Sequence, residues 1–383
     1  MSVAREAPTP ASAGAVSASQ PDAQEQSVVT VVLVEDSVIE RRFLRSAITA
    51  DPGLRVVGEA RTGRDAIALI ERLRPSAVVL DLELPGTAAI EIIERIMASV
   101  PTPILVCSTE GDAARAAAAL AAGAIDVVAR PTARDADRAS YAAALRRGVR
   151  VASRVRVITH PRGRLKARSD ARSASGASAA LSARARAEDT VDLVAIGAST
   201  GGPQALAHLL GALPSDFTPA VVVVQHMADG FIEGLATWLD GLCALPVGVA
   251  TSGVRLHPGT VTIAPSARNL VVNDHLRVSI ERPPPTQFNV PGVDATFESV
   301  ARSVGPRAIG VLLTGMGRDG AVGLKAMRDA GAITIGQDEE SSAVWGMPAA
   351  AAACGAVQRQ LPLTEIAGAL VAILTGDSFG GER

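Results

Sequence analysis

Aromatic side chains are scarce in this 383-residue chain, which holds two Trp, one Tyr and six Phe, 2% of its positions. Base-stacking platforms are therefore nearly excluded, and a core has to be built from aliphatic residues. Cysteine is also sparse: Cys107, Cys243 and Cys354 lie far apart with no CxxC pair, which excludes a disulfide framework and a thiolate zinc site and suits a reducing compartment. Neither sign of charge dominates, because 37 Lys+Arg face 39 Asp+Glu for a formal net charge of −2. An overall basic nucleic-acid binder is thus unsupported. No apolar run reaches the ~18 residues of a spanning helix, and the opening segment has no basic region feeding an apolar one. A cytoplasmic protein is expected, with no nucleic-acid partner and no direct membrane insertion. What is present is 48% hydrophobic residues, ample for packed cores, and a length that predicts two domains at ~150 residues each.

Up to Ser27 the chain is an Ala/Ser/Pro/Gln-rich tail, expected to be disordered. From Val28 short apolar runs alternate with segments of helical periodicity. VVTVVLV, LRVVGEA, AVVL, PILVC and IDVVA read as strands, separated by helices over 38–48, 64–72, 88–97 and 113–121. This predicts a first doubly wound α/β domain over 28–149, with helices on both faces of a parallel sheet. Residues 150–189 carry ten Lys/Arg against Asp170, Glu188 and Asp189 with no regular alternation, and read as a basic flexible linker. A second alternation runs over 190–377, before a short tail at 378–383. It contains VDLVAIG, AVVVVQ, AIGVLLT and AITIG as strands, and a Pro/Gly-rich insert from Pro246 to Pro291 whose VTIAP and LRVSI runs suggest a small β excursion. It predicts a second, larger Rossmann-like domain.

Polar residues cluster where the first domain's strands end, the edge at which open α/β sheets place their sites. Glu35 and Asp36 follow the first strand, Asp81 the third, Ser108 the fourth, and Arg130 and Pro131 the fifth. Three converging carboxylates repel one another unless a cation joins them, and hard oxygen ligands suit Mg2+. Each residue alone is as compatible with a helix cap or a solvated loop. In order, VLVEDS, VVLD, PILVCST and GAIDVVARP resemble the response-regulator receiver family, whose fold is flavodoxin-like. The resemblance implies Asp81 as phosphoacceptor, Glu35, Asp36 and Asp81 as Mg2+ ligands, and Ser108 and Arg130 as switch residues. Arg130 stands where the family has Lys, and LPGTAA, from Leu84 to Ala89, shortens a family segment; both bear on phosphoryl transfer.

In the second domain GASTGG places Ser199 directly after a buried strand, with Gly201, Gly202 and Pro203 opening a helix. Orphan N–H groups there suit either an anionic ligand or an acyl-transfer oxyanion. The spacing fits neither a dinucleotide fingerprint nor the G-x-S-x-G elbow. His226 follows AVVVVQ and Asp319 follows LLTGMGR. Hydroxyl, imidazole and carboxylate from three strand ends form the set needed for base-assisted attack on an acyl group. Taken singly they also read as an N-cap, a strand-end histidine and a turn acid.

AIGASTGG, VVVVQHM, LHPGTVTIAP, LLTGMGRDGAVGL and TIGQDEESSAVWGMPAAA together resemble the chemotaxis protein-glutamate methylesterase family, in which a receiver precedes the esterase. The resemblance implies Ser199 as nucleophile, His226 as base and then acid, Asp319 as orienting carboxylate, and Thr200 with the Met316 backbone near the oxyanion or substrate. It implies hydrolysis of glutamate γ-methyl esters on the cytoplasmic helices of a methyl-accepting chemoreceptor, with glutamine deamidation as a second reaction. No cofactor is implied for ester hydrolysis. A chemotaxis histidine kinase is the implied phosphodonor, receptor arrays are the implied location, and phosphorylation relieves blockage of the site by the receiver. The chain departs from the family around the cleft, at VPGVD (Val290 to Asp294), Asn269, Ala228 and Ala349. A regulatory or scaffold protein with weak or altered esterase output is the alternative. Trp238 and Trp345 read as packing residues.

Overall fold

The computed structural model describes residues 28–84, 89–109, 112–131, 137–155 and 191–376. The expected tails, most of the expected linker, and residues 85–88 of LPGTAA lie outside these.

Val-, Leu- and Ile-rich runs become strands buried on both faces, as parallel sheets require. In the first domain β1 (Val29–Val34), β2 (Leu54–Ala60), β3 (Ala77–Asp81), β4 (Ile104–Thr109) and β5 (Asp126–Arg130) form a parallel sheet of order β2-β1-β3-β4-β5. This is the flavodoxin-like order. The helices are α1 (Val38–Thr49), α2 (Gly63–Leu73), α3 (Ala89–Ser99), α4 (Ala113–Ala122) and α5 (Arg138–Ala152). Ser37 and Thr62 cap α1 and α2, their hydroxyls accepting from Glu40 N and Asp65 N. Leu44, Ile48 and Leu145 of α1 and α5 cover one sheet face, and Ile70, Ile92 and Leu120 of α2, α3 and α4 the other. Helix α5 runs past residue 149, because Val149, Val151 and Ala152 are all buried.

The second domain contains β6 (Leu193–Ala198), α6 (Gly202–Gly211), β7 (Ala220–Gln225), α7 (Ile232–Asp240), β8 (Val247–Val249), β9 (Val261–Ile263), and the antiparallel pair β10 (Asn269–Val272) and β11 (Val278–Glu281). It continues with α8 (Val293–Ser303), β12 (Ala308–Leu312), α9 (Ala321–Asp329), β13 (Ile333–Gln337), α10 (Met347–Ala353), β14 (Arg359–Leu361) and α11 (Leu363–Thr375). Its seven-stranded sheet has the order β14-β13-β12-β6-β7-β9-β8 and every pairing is parallel. Leu206, Leu235 and Leu370 pack on one face, and Phe297, Leu324 and Met347 on the other, giving three layers. The strand order turns back between β6 and β12, so the loops after these two strands flank the crevice where such sheets hold ligands. The β excursion is only half as expected. The LRVSI run pairs in the β10–β11 hairpin, but VTI is β9 of the main sheet, because Val261 and Ile263 are buried beside Val221 and Val223.

The domains touch through α4 and α7. Phe231 and Trp238 pack into the first domain's core cluster, and Gln204 Nε2 of α6 donates to the carbonyls of Leu120 and Ala124. Among the described residues no helix is long and apolar enough to cross a membrane.

Candidate active site

The register of β6 on β7 pairs Ala198 with Gln225, so the next residues, Ser199 and His226, leave the two adjacent strands side by side. Three hydrogen bonds lock this edge. Ser199 N donates to Thr314 O at 3.0 Å, and the buried Gln225 amide donates to both Ser199 O and His226 O at 2.8 Å. The chain then turns sharply at Gly201, with φ +75°, to start α6. A Cβ at Gly202 would stand 2.0 Å from Gln225 Oε1, so only glycine lets the helix begin this close to the strand ends.

His226 Nε2 lies 2.8 Å from Asp319 Oδ2. The carboxylate makes Nε2 the protonated nitrogen and leaves Nδ1 with its lone pair. Asp319 is buried and held by backbone donors: Val293 N at 2.9 Å on Oδ2, and Asp294 N and Gly320 N at 3.0 Å on Oδ1. Burial works against the charge of Asp319, but the His226 bond and these N–H groups outweigh it and keep the carboxyl below its usual range. Burial pushes the adjacent Asp294 carboxyl up to about 6, assisted by the charge of Asp319.

Thr200 and Met316 line an interdomain cleft of about 490 Å³, with Asp126, Arg130 and Tyr141 on its receiver side. Met316 is 45% exposed. Asp126, facing Thr200 across this cleft, is pushed up to about 6 by burial, against the 2.8 Å bond its carboxylate accepts from Val127 N.

In the first domain Glu35, Asp36 and Asp81 offer ligand atoms all within 4.8 Å of one another. Such a set fits a hard divalent cation. Arg130 Nη2 reaches Glu35 Oε2 at 3.0 Å and Asp81 Oδ1 at 2.9 Å. Burial disfavours the charge of Arg130, yet Asp81 and Glu35 more than compensate and hold it firmly protonated. Glu35 is pushed up to about 7 by burial and then by Asp81, and burial raises Asp81 as well. Ser108 is buried one residue before the end of β4, and its hydroxyl donates to Thr109 O at 3.4 Å.

The structure thus gathers Ser199, His226 and Asp319 at one sheet edge and Glu35, Asp36, Asp81 and Arg130 at another. Sequence reasoning overlooked Gln225, Asp294 and Asp126. Gln225, a lone amide closing an otherwise apolar strand, was the one visible signal.

The response regulator receiver domain family matches residues 31–140, and the CheB methylesterase family matches residues 194–370. A protein-glutamate methylesterase/protein-glutamine glutaminase of Paramagnetospirillum magneticum is 42% identical, covering 92% of this chain and 98% of its own length. One from Anaeromyxobacter dehalogenans is 44% identical over 89% of this chain and 96% of its own. Among solved structures, the methylesterase catalytic domain of Thermotoga maritima CheB is 34% identical with a TM-score of 0.47, covering 48% of this chain and 99% of that one. With relatives matched along nearly their whole length, this chain belongs to the CheB family of protein-glutamate methylesterases/protein-glutamine glutaminases, a receiver domain joined to a methylesterase domain.

Proposed function

We infer that this enzyme hydrolyses glutamate γ-methyl esters on the cytoplasmic helices of a methyl-accepting chemoreceptor, and the corresponding glutamine amides, through Ser199, His226 and Asp319. The observation that carries this reading is the 2.8 Å His226–Asp319 bond, set in register beside Ser199. His226 Nδ1 removes the Ser199 proton as Oγ attacks the ester carbonyl carbon, and Asp319 stabilises the imidazolium. The oxyanion forms at the start of α6, where N–H groups around Thr200 and the Met316 backbone supply donors. On collapse, His226 returns the proton to the leaving oxygen and methanol departs. Water then attacks the glutamyl-serine ester with His226 again as base, freeing glutamate and Ser199. From glutamine the leaving group is ammonia.

The receiver gates this site. Asp81 accepts a phosphoryl group from a chemotaxis histidine kinase; Glu35, Asp36 and Asp81 would hold Mg2+, which would supply positive charge against the phosphoryl oxygens. Arg130 then exchanges its carboxylate partners for the new group, and Ser108 donates to it. The α4–α7 contact and the Gln204 bonds to Leu120 O and Ala124 O are what phosphorylation has to loosen. Work on receptor helices implies recruitment to receptor arrays.

The test is methanol release from methylated chemoreceptor membranes by the full chain, with Mg2+ and a small phosphodonor, beside its Ser199→Ala variant. Release by wild type alone supports the reading; equal release by both overturns the role of Ser199. Intact mass under the same conditions should show a phosphoryl adduct that Asp81→Asn lacks, and an adduct persisting in that variant would remove Asp81 as acceptor.

A further inference from the structure

Asn269 is a buried amide, 5% exposed, that the reaction described above leaves without a task. It opens the β10–β11 hairpin, which stands outside the seven-stranded sheet. Side chains along α8 fasten that hairpin to the helix: Thr296 Oγ1 donates to Leu270 O at 2.7 Å, Ser299 Oγ accepts from Val272 N at 3.0 Å, and Ser303 Oγ donates to Val272 O at 2.9 Å. Asn269 closes the seam at the helix start, where its Oδ1 accepts from Gly292 N at 2.9 Å. Gly292 is the N-cap of α8 and has no side chain to cap with, so the first N–H groups of the helix need acceptors from elsewhere. Asn269 takes the first of them. The next two, Val293 N and Asp294 N, donate to Asp319 Oδ2 at 2.9 Å and Oδ1 at 3.0 Å. The Asp319 carboxylate is thus the cap of α8, and the place of the helix start decides how that carboxylate is turned.

Gln287 fixes the Asn269 amide. Its Oε1 accepts from Asn269 Nδ2 at 2.7 Å, and its Nε2 donates to Asn269 Oδ1 at 2.9 Å. The second Nε2 hydrogen goes to Asn289 O at 2.6 Å, so Gln287 cannot turn over, and Asn269 keeps Oδ1 rather than Nδ2 toward Gly292. A Cβ at Gly292 would collide with Gln287 Nε2, so glycine leaves the room in which the two amides pair.

We propose that Asn269, its amide locked by Gln287, is a positioning residue for the triad. It sets the place of the α8 N-terminus, hence the rotation of the Asp319 carboxylate and the direction in which His226 Nδ1 faces Ser199. It acts through Gly292 and the helix start rather than on the reacting atoms. The inference rests on the esterase reading, with Asp319 as the orienting carboxylate.

Leucine matches asparagine in shape but accepts no hydrogen bond, whereas aspartate keeps an acceptor for Gly292 N–H and Gln287 Nε2. In the full chain, with methanol release from methylated receptor membranes as the assay, Asn269→Leu should lower kcat about 10- to 100-fold with KM unchanged, the loss expected of a mis-aimed catalytic group. Asn269→Asp should stay closer to wild type than to the leucine variant. Ser303→Ala, which loosens the far end of the same seam, should keep the wild-type kcat. Wild-type kcat in Asn269→Leu, an equal loss in Ser303→Ala, or a folded Asn269→Asp as impaired as the leucine variant overturns the proposal. Should Asn269→Leu not fold, Gln287→Leu in the half-buried loop decides: a lowered kcat at unchanged KM is expected, and a wild-type kcat overturns it.

Proton NMR of the free protein supplies a readout independent of substrate. The downfield His226 Nε2–H signal should be retained in Asn269→Asp and Ser303→Ala and shifted or broadened in Asn269→Leu; equal signals in all four proteins count against the proposal. If wild type released no methanol while the NMR pattern held, the esterase reading would fail and the positioning role would stand.

Discussion

Adding a single methyl group to α7 should unlock the enzyme without phosphorylation. Gly234 faces the receiver, and a Cβ there would lie 2.4 Å from the Ala113 carbonyl oxygen, 2.9 Å from its carbon and 3.2 Å from Ala117 Cβ. Since carbon–oxygen contacts normally begin at about 3.3 Å, α4 and α7 must separate by roughly 1 Å. A backbone carbonyl in the first turn of α4 has no rotamer to escape into. Overpacking of this kind costs on the order of 1–3 kcal/mol, which falls here on the docked arrangement alone. Within α7 itself Gly→Ala favours the helix by about 1 kcal/mol, so the esterase fold is not weakened. The undocked population should therefore rise by roughly 5- to 150-fold, up to saturation. The assay is initial methanol release from methylated receptor membranes without phosphodonor. Gly234→Ala should raise this basal rate and shrink the stimulation by phosphodonor. Gly241→Ala is the control, because its Cβ would meet nothing nearer than 3.5 Å. An unchanged basal rate in Gly234→Ala, or an equal rise in both variants, would refute the interface as the gate.

Two further outcomes follow from the same geometry. Gly368 lies exposed in the middle of α11, and a methyl group added there would meet nothing within 4 Å, so Gly368→Ala should stabilise the fold by about 0.5–1 kcal/mol; a lowered midpoint in urea unfolding would contradict it. Asp126 is pushed up to about 6 from 3.8, so its proton binds more tightly when the domains are docked. The resulting stabilisation is complete below about pH 4 and is lost as pH rises through 6. Basal activity of wild type relative to Asp126→Asn should therefore climb between pH 5 and 7, and a flat ratio would remove Asp126 from the contact.

The two α/β domains were legible because their strands are nearly uninterrupted Val, Leu and Ile, which only a sheet covered on both faces accommodates. The triad residues stood out for the converse reason: a lone hydroxyl, imidazole or carboxylate follows an apolar strand at the one edge where helix N-termini also gather. β8 and β14 escaped notice because three residues are too short for any periodicity, and both lie partly exposed at the two edges of the sheet. VTI was assigned to the insert because Pro and Gly surround it, while its pairing with β7 is set by residues some 40 positions earlier.

Sequence by itself determined what is local: fold class, strand ends, and the chemical types available at them. Tertiary structure decided which of those groups meet. It chose His226 Nε2, rather than Nδ1, for Asp319. It joined the Asp294 backbone N–H to Asp319 across 25 residues, and Gln204 to the Leu120 and Ala124 carbonyls across the two domains. Each of these contacts depends on backbone register and helix entry angle, which are properties of the packed layers and leave no trace in residue spacing.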